Sequence, residues 1–185
     1  LVIGLFVWDE WQYDKKISGG ENVYRICEER NDNGNITHAA ISAPAFATYI
    51  KQNYPEVDTT LRILMSVSKF LVENGETRNY EDNGWFVEPS FFNMFSLKFK
   101  RGDASTALIE PRSVVLTEEM ATKYFKNEDP INKIIYINKD TVTVKGVLAK
   151  LPDHFHLDFN YLVSLSTSRI PQDRMERWTW HQFYT

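Results

Sequence analysis

Ser113-Val-Val-Leu-Thr-Glu-Glu-Met-Ala, running on to Tyr124-Phe125, is the stretch whose reading decides the fold class. Its Val-Val-Leu opening favours extended chain, because β-branched side chains pack well on a pleated surface. Thr117 then suits a helix N-cap, and Glu118 and Glu119 put carboxylates at the positive end of the helix dipole. The helix should close near Phe125. Downstream, Glu128-Asp-Pro-Ile reads as a turn and Ile134 to Ile137 with Thr141 to Leu148 as a hairpin around Asn138-Lys-Asp. Phe155 to Ser166 reads as a further strand, alternating Leu157, Phe159 and Tyr161. Strand, helix and hairpin follow one another without a strict βαβ repeat, which predicts an α+β fold.

Upstream of that stretch, Pro89-Ser-Phe-Phe-Asn-Met-Phe predicts a short helix with Phe91, Phe92 and Phe95 on one side, and Lys98 to Asp103 leads into a loop. Three phenylalanines so spaced fill a core sooner than they cage a ligand. Val57 to Val72 and Thr77 to Val87 read as long strands around the Asn74-Gly75 turn. Ser42 is a plausible N-cap with Pro44 in the first turn, and Phe46, Tyr49, Ile50 and Tyr54 recur at helical spacing until Pro55. Val23 to Glu29 and Ile36 to Ile41 pair around Asn33-Gly34, a dipeptide that takes the positive φ angles of a hairpin. A boundary between two lobes falls somewhere near Thr77 to Pro89.

A chain of 185 residues, 43% apolar and 14% aromatic, can build a real core and is no disordered segment. Its net charge of -4 supplies no field that would draw the whole domain to nucleic acid or anionic lipid. Cys27 is the single cysteine, so neither an intrachain disulfide nor a cysteine zinc cage can form, and its apolar-alternating neighbours suggest a small core side chain. Leu1-Val-Ile-Gly-Leu-Phe-Val-Trp is wholly apolar but shorter than the roughly 20 residues that span a bilayer. It fits either a buried element or the outer end of a membrane helix. Trp8, Trp11 and Tyr13 suit the second, since amphipathic rings collect where membrane meets water.

The order of short phrases from Glu88-Pro-Ser-Phe-Phe-Asn-Met-Phe-Ser-Leu through Arg101-Gly-Asp-Ala-Ser-Thr-Ala-Leu, Ser113-Val-Val-Leu, Tyr124-Phe and Glu128-Asp-Pro-Ile-Asn-Lys resembles the extracytoplasmic core domain of MacB-like, FtsX-like permeases of bacterial ABC transporters. Asn22-Val-Tyr-Arg-Ile before it, and Gly146-Val-Leu and His156-Leu-Asp-Phe-Asn-Tyr-Leu-Val-Ser after it, extend the likeness over nearly the whole chain. The resemblance implies two lobes, a β-α-β porter-like lobe and an inserted mixed α/β lobe. Residues 1–16 would then be the outer end of a first membrane helix and its linker, with Trp8, Trp11 and Tyr13 coupling at the membrane interface. Residues 17–76 would form the first lobe, 77–166 the second, and 167–185 the start of a return to the first. Such a first lobe would expose an apolar face, covered by another copy or by the N-terminal segment.

By the same resemblance the domain works without a cofactor on the periplasmic side of the bacterial inner membrane. Its partners would be membrane helices of its own or a partner chain, a separate or fused cytoplasmic ATPase, a second permease copy as a dimer, and a periplasmic adaptor, with no nucleic acid. The alternative class is a free-standing periplasmic ligand-binding protein with its site between lobes. A third is a metal-dependent enzyme, for which His154, His156 and Asp158 on one strand face could supply three ligands.

Other motifs carry little. No Gly-x-x-x-x-Gly-Lys-Ser/Thr loop is present to bind ATP phosphates, and no Gly-x-Ser-x-Gly elbow supports a hydrolase built on Ser113 and His181. Glu118 and Glu119 diverge by about 100 degrees on a helix and cannot flank one substrate. Arg101-Gly102-Asp103 matches an adhesion tripeptide that recurs by chance, and Asn35-Ile-Thr37 needs no explanation beyond a turn.

Overall fold

The chain's architecture, seen in a computed structural model that describes residues 20–66 and 68–185, follows from where a short helix is pushed. Ser113–Leu116 forms β8 and Glu118–Phe125 forms a helix, α3. Thr117 between them is extended, and its hydroxyl oxygen accepts the Met120 amide at 3.3 Å, so one orphan donor of the first turn is satisfied. The apolar side of α3, Met120, Ala121, Tyr124 and Phe125, is buried.

The other elements are β1 (Glu28–Asp32), β2 (Asn35–Ala39), α1 (Ala45–Asn53), β3 (Ile63–Met65), β4 (Phe70–Asn74), β5 (Thr77–Glu81), β6 (Gly84–Val87), α2 (Phe91–Phe95), β7 (Phe99–Gly102), β9 (Ile134–Ile137), β10 (Asp140–Leu148), β11 (Tyr161–Ser164) and α4 (Gln172–Met175). β1 and β2 make a hairpin of their own, turning through Asn33 and Gly34 at φ 53° and 93°. Among the described residues the remaining nine strands form one sheet in the order β3-β6-β11-β8-β10-β9-β4-β5, with β7 on the far half of β10. Only β10 with β8 and β11 with β6 run parallel. The fold is α+β, mostly sheet with few helices.

That order cannot lie flat. β5 and β6 are joined by Asp82 and Asn83 alone, yet the hydrogen-bonded path from one to the other crosses β4, β9, β10, β8 and β11. Strand spacing would put them about 29 Å apart in a flat sheet, whereas the short link reaches at most about 11 Å. The sheet therefore curls, and α3 fills the hollow. Val72, Val114, Leu116, Ile135, Ile137, Val142, Val144, Val147, Tyr161 and Val163 close around the helix as one buried cluster.

The closing corner is pinned by polar contacts. Asn83, at φ 51°, donates its side-chain amide to Asp158 at 3.0 Å, and the Asn160 amide donates to the Asn83 carbonyl at 2.9 Å. Lys69 pairs with Asp82 at 3.2 Å, and its hydrogen bond holds that carboxyl below the usual range. On the opposite face of β3, β6, β8 and β11, α2 and the 155–159 segment lay down a second cluster. There Trp85 meets Phe159 at 5.5 Å, and Phe91 meets Phe159 at 5.8 Å between ring centres. The central strands β8 and β11 are thus buried on both faces.

Several local expectations shift. Thr77 to Val87 is two strands, broken at the closing corner. Lys98 to Asp103 contains β7, whose Gly102 at φ 87° lies so close to Lys145 that a Cβ would sit 2.3 Å from its carbonyl oxygen. Phe155 to Phe159 is irregular chain, and its alternation serves packing over α2. Residues 23–27 lie outside any strand, so Cys27 is exposed and not a core side chain.

Candidate functional site

The site is a seam where the first and last described segments are sewn to the edge of the sheet. Residues 183–185 run as an extended strip between Ser42 and β3. The Ser42 amide donates to the Phe183 carbonyl at 2.6 Å and the Phe183 amide donates back to the Ser42 carbonyl at 3.2 Å, while Ile63 and Tyr184 exchange bonds of 2.8 and 2.9 Å. The Ile26 amide donates to the Thr185 carbonyl at 2.8 Å, and the Ser42 hydroxyl donates to that of Thr185 at 2.7 Å. Ser42, Ala43 and Phe183 are fully buried. The strip covers the free edge of β3, a row of backbone groups that would otherwise invite another strand.

Two further ties cross the seam. Arg62 grips Glu88 with both its side-chain fork and its backbone amide, the latter at 2.8 Å, and reaches the Pro44 carbonyl at 3.4 Å. One half-buried guanidinium thereby joins the start of α1 to β6. His181 Nδ1 meets Glu28, a carboxylate that also holds Arg30 at 3.3 Å. Rings do the rest: Trp178 stacks edge-on against Phe46 at 5.0 Å and Tyr49 at 5.4 Å, and the Arg25 guanidinium lies 5.7 Å over Tyr184. An open cleft beside the seam is lined by Arg62, Glu88, Ile109, Ser164, Leu165 and Met175.

The other sequence-derived candidates scatter. His154 sits at φ 63° in a turn and Asp158 accepts from Asn83, so no strand aligns them with His156; among the described residues no group of metal-ligating side chains assembles. Ser113 is buried and gives its hydroxyl to the Glu110 carbonyl at 2.6 Å, while His181 belongs to the seam. Glu118 pairs with Lys100, and Arg101 with Asp129 at 2.7 Å. Asp103 accepts the Ser105 amide and hydroxyl, each at 2.8 Å, which hold its carboxyl low and tie the tripeptide into a turn. Trp8, Trp11 and Tyr13 lie outside the described residues. The seam itself had no sequence motif, since its bonds are mostly backbone to backbone between segments over a hundred residues apart.

A family model for the MacB-like periplasmic core domain matches residues 1–184. The chain belongs to that family. MacB-like periplasmic core domains are extracytoplasmic parts of ABC transporter permeases. Among solved structures, a domain assigned to a permease protein from Porphyromonas gingivalis superposes with a TM-score of 0.71 at 18% identity, over 85% of this chain and 68% of that one. The periplasmic region of MacB from Actinobacillus actinomycetemcomitans superposes at 0.51 with 24% identity, over 67% of this chain and 54% of that one. No curated protein matches this chain. Among the described residues no helix is long and apolar enough to cross a membrane.

Proposed function

We propose that this MacB-like core domain is a rigid lever that carries motion of a membrane helix to substrate or partners outside the cell membrane. The observation that supports it is the Ile26–Thr185 bond. Through that bond and the Ser42–Phe183 and Ile63–Tyr184 bridges, segments more than a hundred residues apart in sequence are held as one body. A curled sheet filled by α3 resists bending, so displacement at the seam moves the body as a whole.

In this reading the apolar run at residues 1–8 ends a helix of the inner membrane, Trp8, Trp11 and Tyr13 seat it at the interface, and closure of a cytoplasmic ATPase drives it. A second permease copy and a periplasmic adaptor are the partners, and cargo is pushed or a partner signalled. The test is a flexible Gly/Ser linker placed between Tyr13 and Asn22 in the intact permease. Transport should be lost with ATP hydrolysis retained, and unimpaired transport would refute the coupling.

A further inference from the structure

We infer that the outward ring face of α1, made of Tyr49, Tyr54 and Trp178, rests on the headgroup layer of a lipid bilayer. The inference builds on the membrane-tethered lever proposed above and names a contact for it. Three observations carry it: the chemistry of the rings, their place in the fold, and their extent.

Helix α1 buries only Ala45 and Ala47. Tyr49, Tyr54 and Trp178 stay 44, 45 and 48% exposed, although Tyr49 touches both of the others at 5.4 and 6.4 Å between ring centres. Each ring joins an apolar body to one hydroxyl or N–H, the chemistry that settles where hydrocarbon gives way to water. On α1 itself Lys51 is the only charge, while the exposed Glu56 and Glu176 stand two residues from Tyr54 and Trp178. The chain's net charge of -4 leaves ring partitioning, rather than attraction to anionic lipid, as the driving force.

Place agrees with chemistry. Ser42, three residues before α1, bonds Phe183 and Thr185, so a nine-residue helix about 13 Å long keeps the ring face close to the seam. Gly20 follows Trp8 by twelve residues, so Gly20, six residues before the seam at Ile26, lies within about 40 Å of the apolar run at residues 1–8. Extent argues against a second copy as occupant. Three half-exposed rings offer roughly 300 Å², well under the about 800 Å² that each partner of a stable pair contributes.

The experiment uses the intact chain in phosphatidylcholine vesicles, with and without bromine near the carbonyl end of the acyl chains. The contribution of Trp178 is the difference between wild type and W178F. That of Trp8 and Trp11 is the difference from W8F/W11F. We expect bromine to quench the Trp178 contribution, and Tyr54→Ser, which keeps the reporter and removes only an exposed ring, to weaken that quenching. If Trp8 and Trp11 are quenched while Trp178 is not, the lipid contact is overturned and the tether stands. If none is quenched, tether and contact fall together. A Trp178 shielded from aqueous iodide yet untouched by bromolipid, with a doubled mass in light scattering, would assign the face to a second copy and likewise overturn the inference.

Discussion

The curled sheet and the seam are held by different forces. In the sheet, β8 and β11 are buried on both faces, and the apolar side of α3 packs against Val, Ile and Leu side chains of the curl. That stabilisation is non-directional and scales with apolar area. At the seam, α1 buries two alanines and β2 buries nothing, so beside the buried Ala43 and Phe183 what holds it is a short roll of directional contacts: backbone bridges, the Arg62–Glu88 fork, the Glu28 contacts with His181 and Arg30, and edge-on rings. Directional contacts near water contribute less per contact and can be undone locally, whereas a packed core yields only as a whole. A lever needs both properties, a body that does not bend and an attachment that can adjust.

The sharpest way to break the sheet is Gly84→Ala. A Cβ there would stand 2.1 Å from Cζ of Tyr161, a ring only 1% exposed, so the ring must shift against the packed neighbours around it. We expect a loss of about 3 kcal/mol in urea unfolding, the upper part of the overpacking range. A midpoint within error of wild type would mean that β6 and β11 are loosely packed and that the contrast with the seam is overstated.

Next in size is Tyr124→Phe. The Tyr124 hydroxyl donates to Glu81 at 2.6 Å, and Lys123 meets the same carboxylate at 2.6 Å, at the open end of the curl. Removing one donor from a carboxylate that is only 7% exposed should cost about 2 kcal/mol. The double variant with Glu81→Gln should cost less than the sum of the singles, because both changes act on one cluster.

At the seam the predicted effect is local. Arg62→Gln removes the fork that joins α1 to β6 without touching either buried cluster. Amides of α1 should then exchange about tenfold faster, as expected for loss of charge-assisted hydrogen bonds. The urea midpoint should hardly move. If it falls in step with the exchange rates, seam and sheet unfold as one unit and the distinction drawn above fails.

How much of this was legible follows from how far apart the partners are in sequence. The cap at Thr117, the β9–β10 hairpin, the Asn33-Gly34 turn and the burial of Phe91, Phe92 and Phe95 are all written within a few residues of each other, and each is found as read. The curl was hidden, because it depends on two residues, Asp82 and Asn83, that interrupt what reads as one long strand. β7 was hidden for the opposite reason: Lys98 to Asp103 has polar, loop-like composition, and only its partner on β10 makes it a strand. The Phe155 to Phe159 alternation misled because a loop crossing a core also buries every second ring. Of the functional surface, the seam left no local trace, while the rings of α1 were visible as a helical stripe whose exposure was not.

The smallest predicted effect separates the two buried tyrosines of the curl. Tyr161 is 1% exposed and its hydroxyl has no hydrogen-bond partner, unlike that of Tyr124. Tyr161→Phe should therefore leave stability at neutral pH unchanged or raise it by under about 1 kcal/mol, since an unpaired buried hydroxyl contributes nothing to offset its desolvation. Above pH 10 the two forms should part. Burial pushes both phenols above the ordinary tyrosine value, with the Glu81 hydrogen bond adding to the rise at Tyr124. The folded state thus keeps protons that the unfolded chain releases. The stability from this source is whole below the unfolded tyrosine pKa and drains away as pH climbs through the folded one. Urea midpoints measured from pH 8 to pH 11 should fall more steeply for wild type than for Tyr161→Phe. Parallel curves would mean that the Tyr161 ring reaches water through the corner at Asp82 and Asn83, and that the curl is open there rather than sealed.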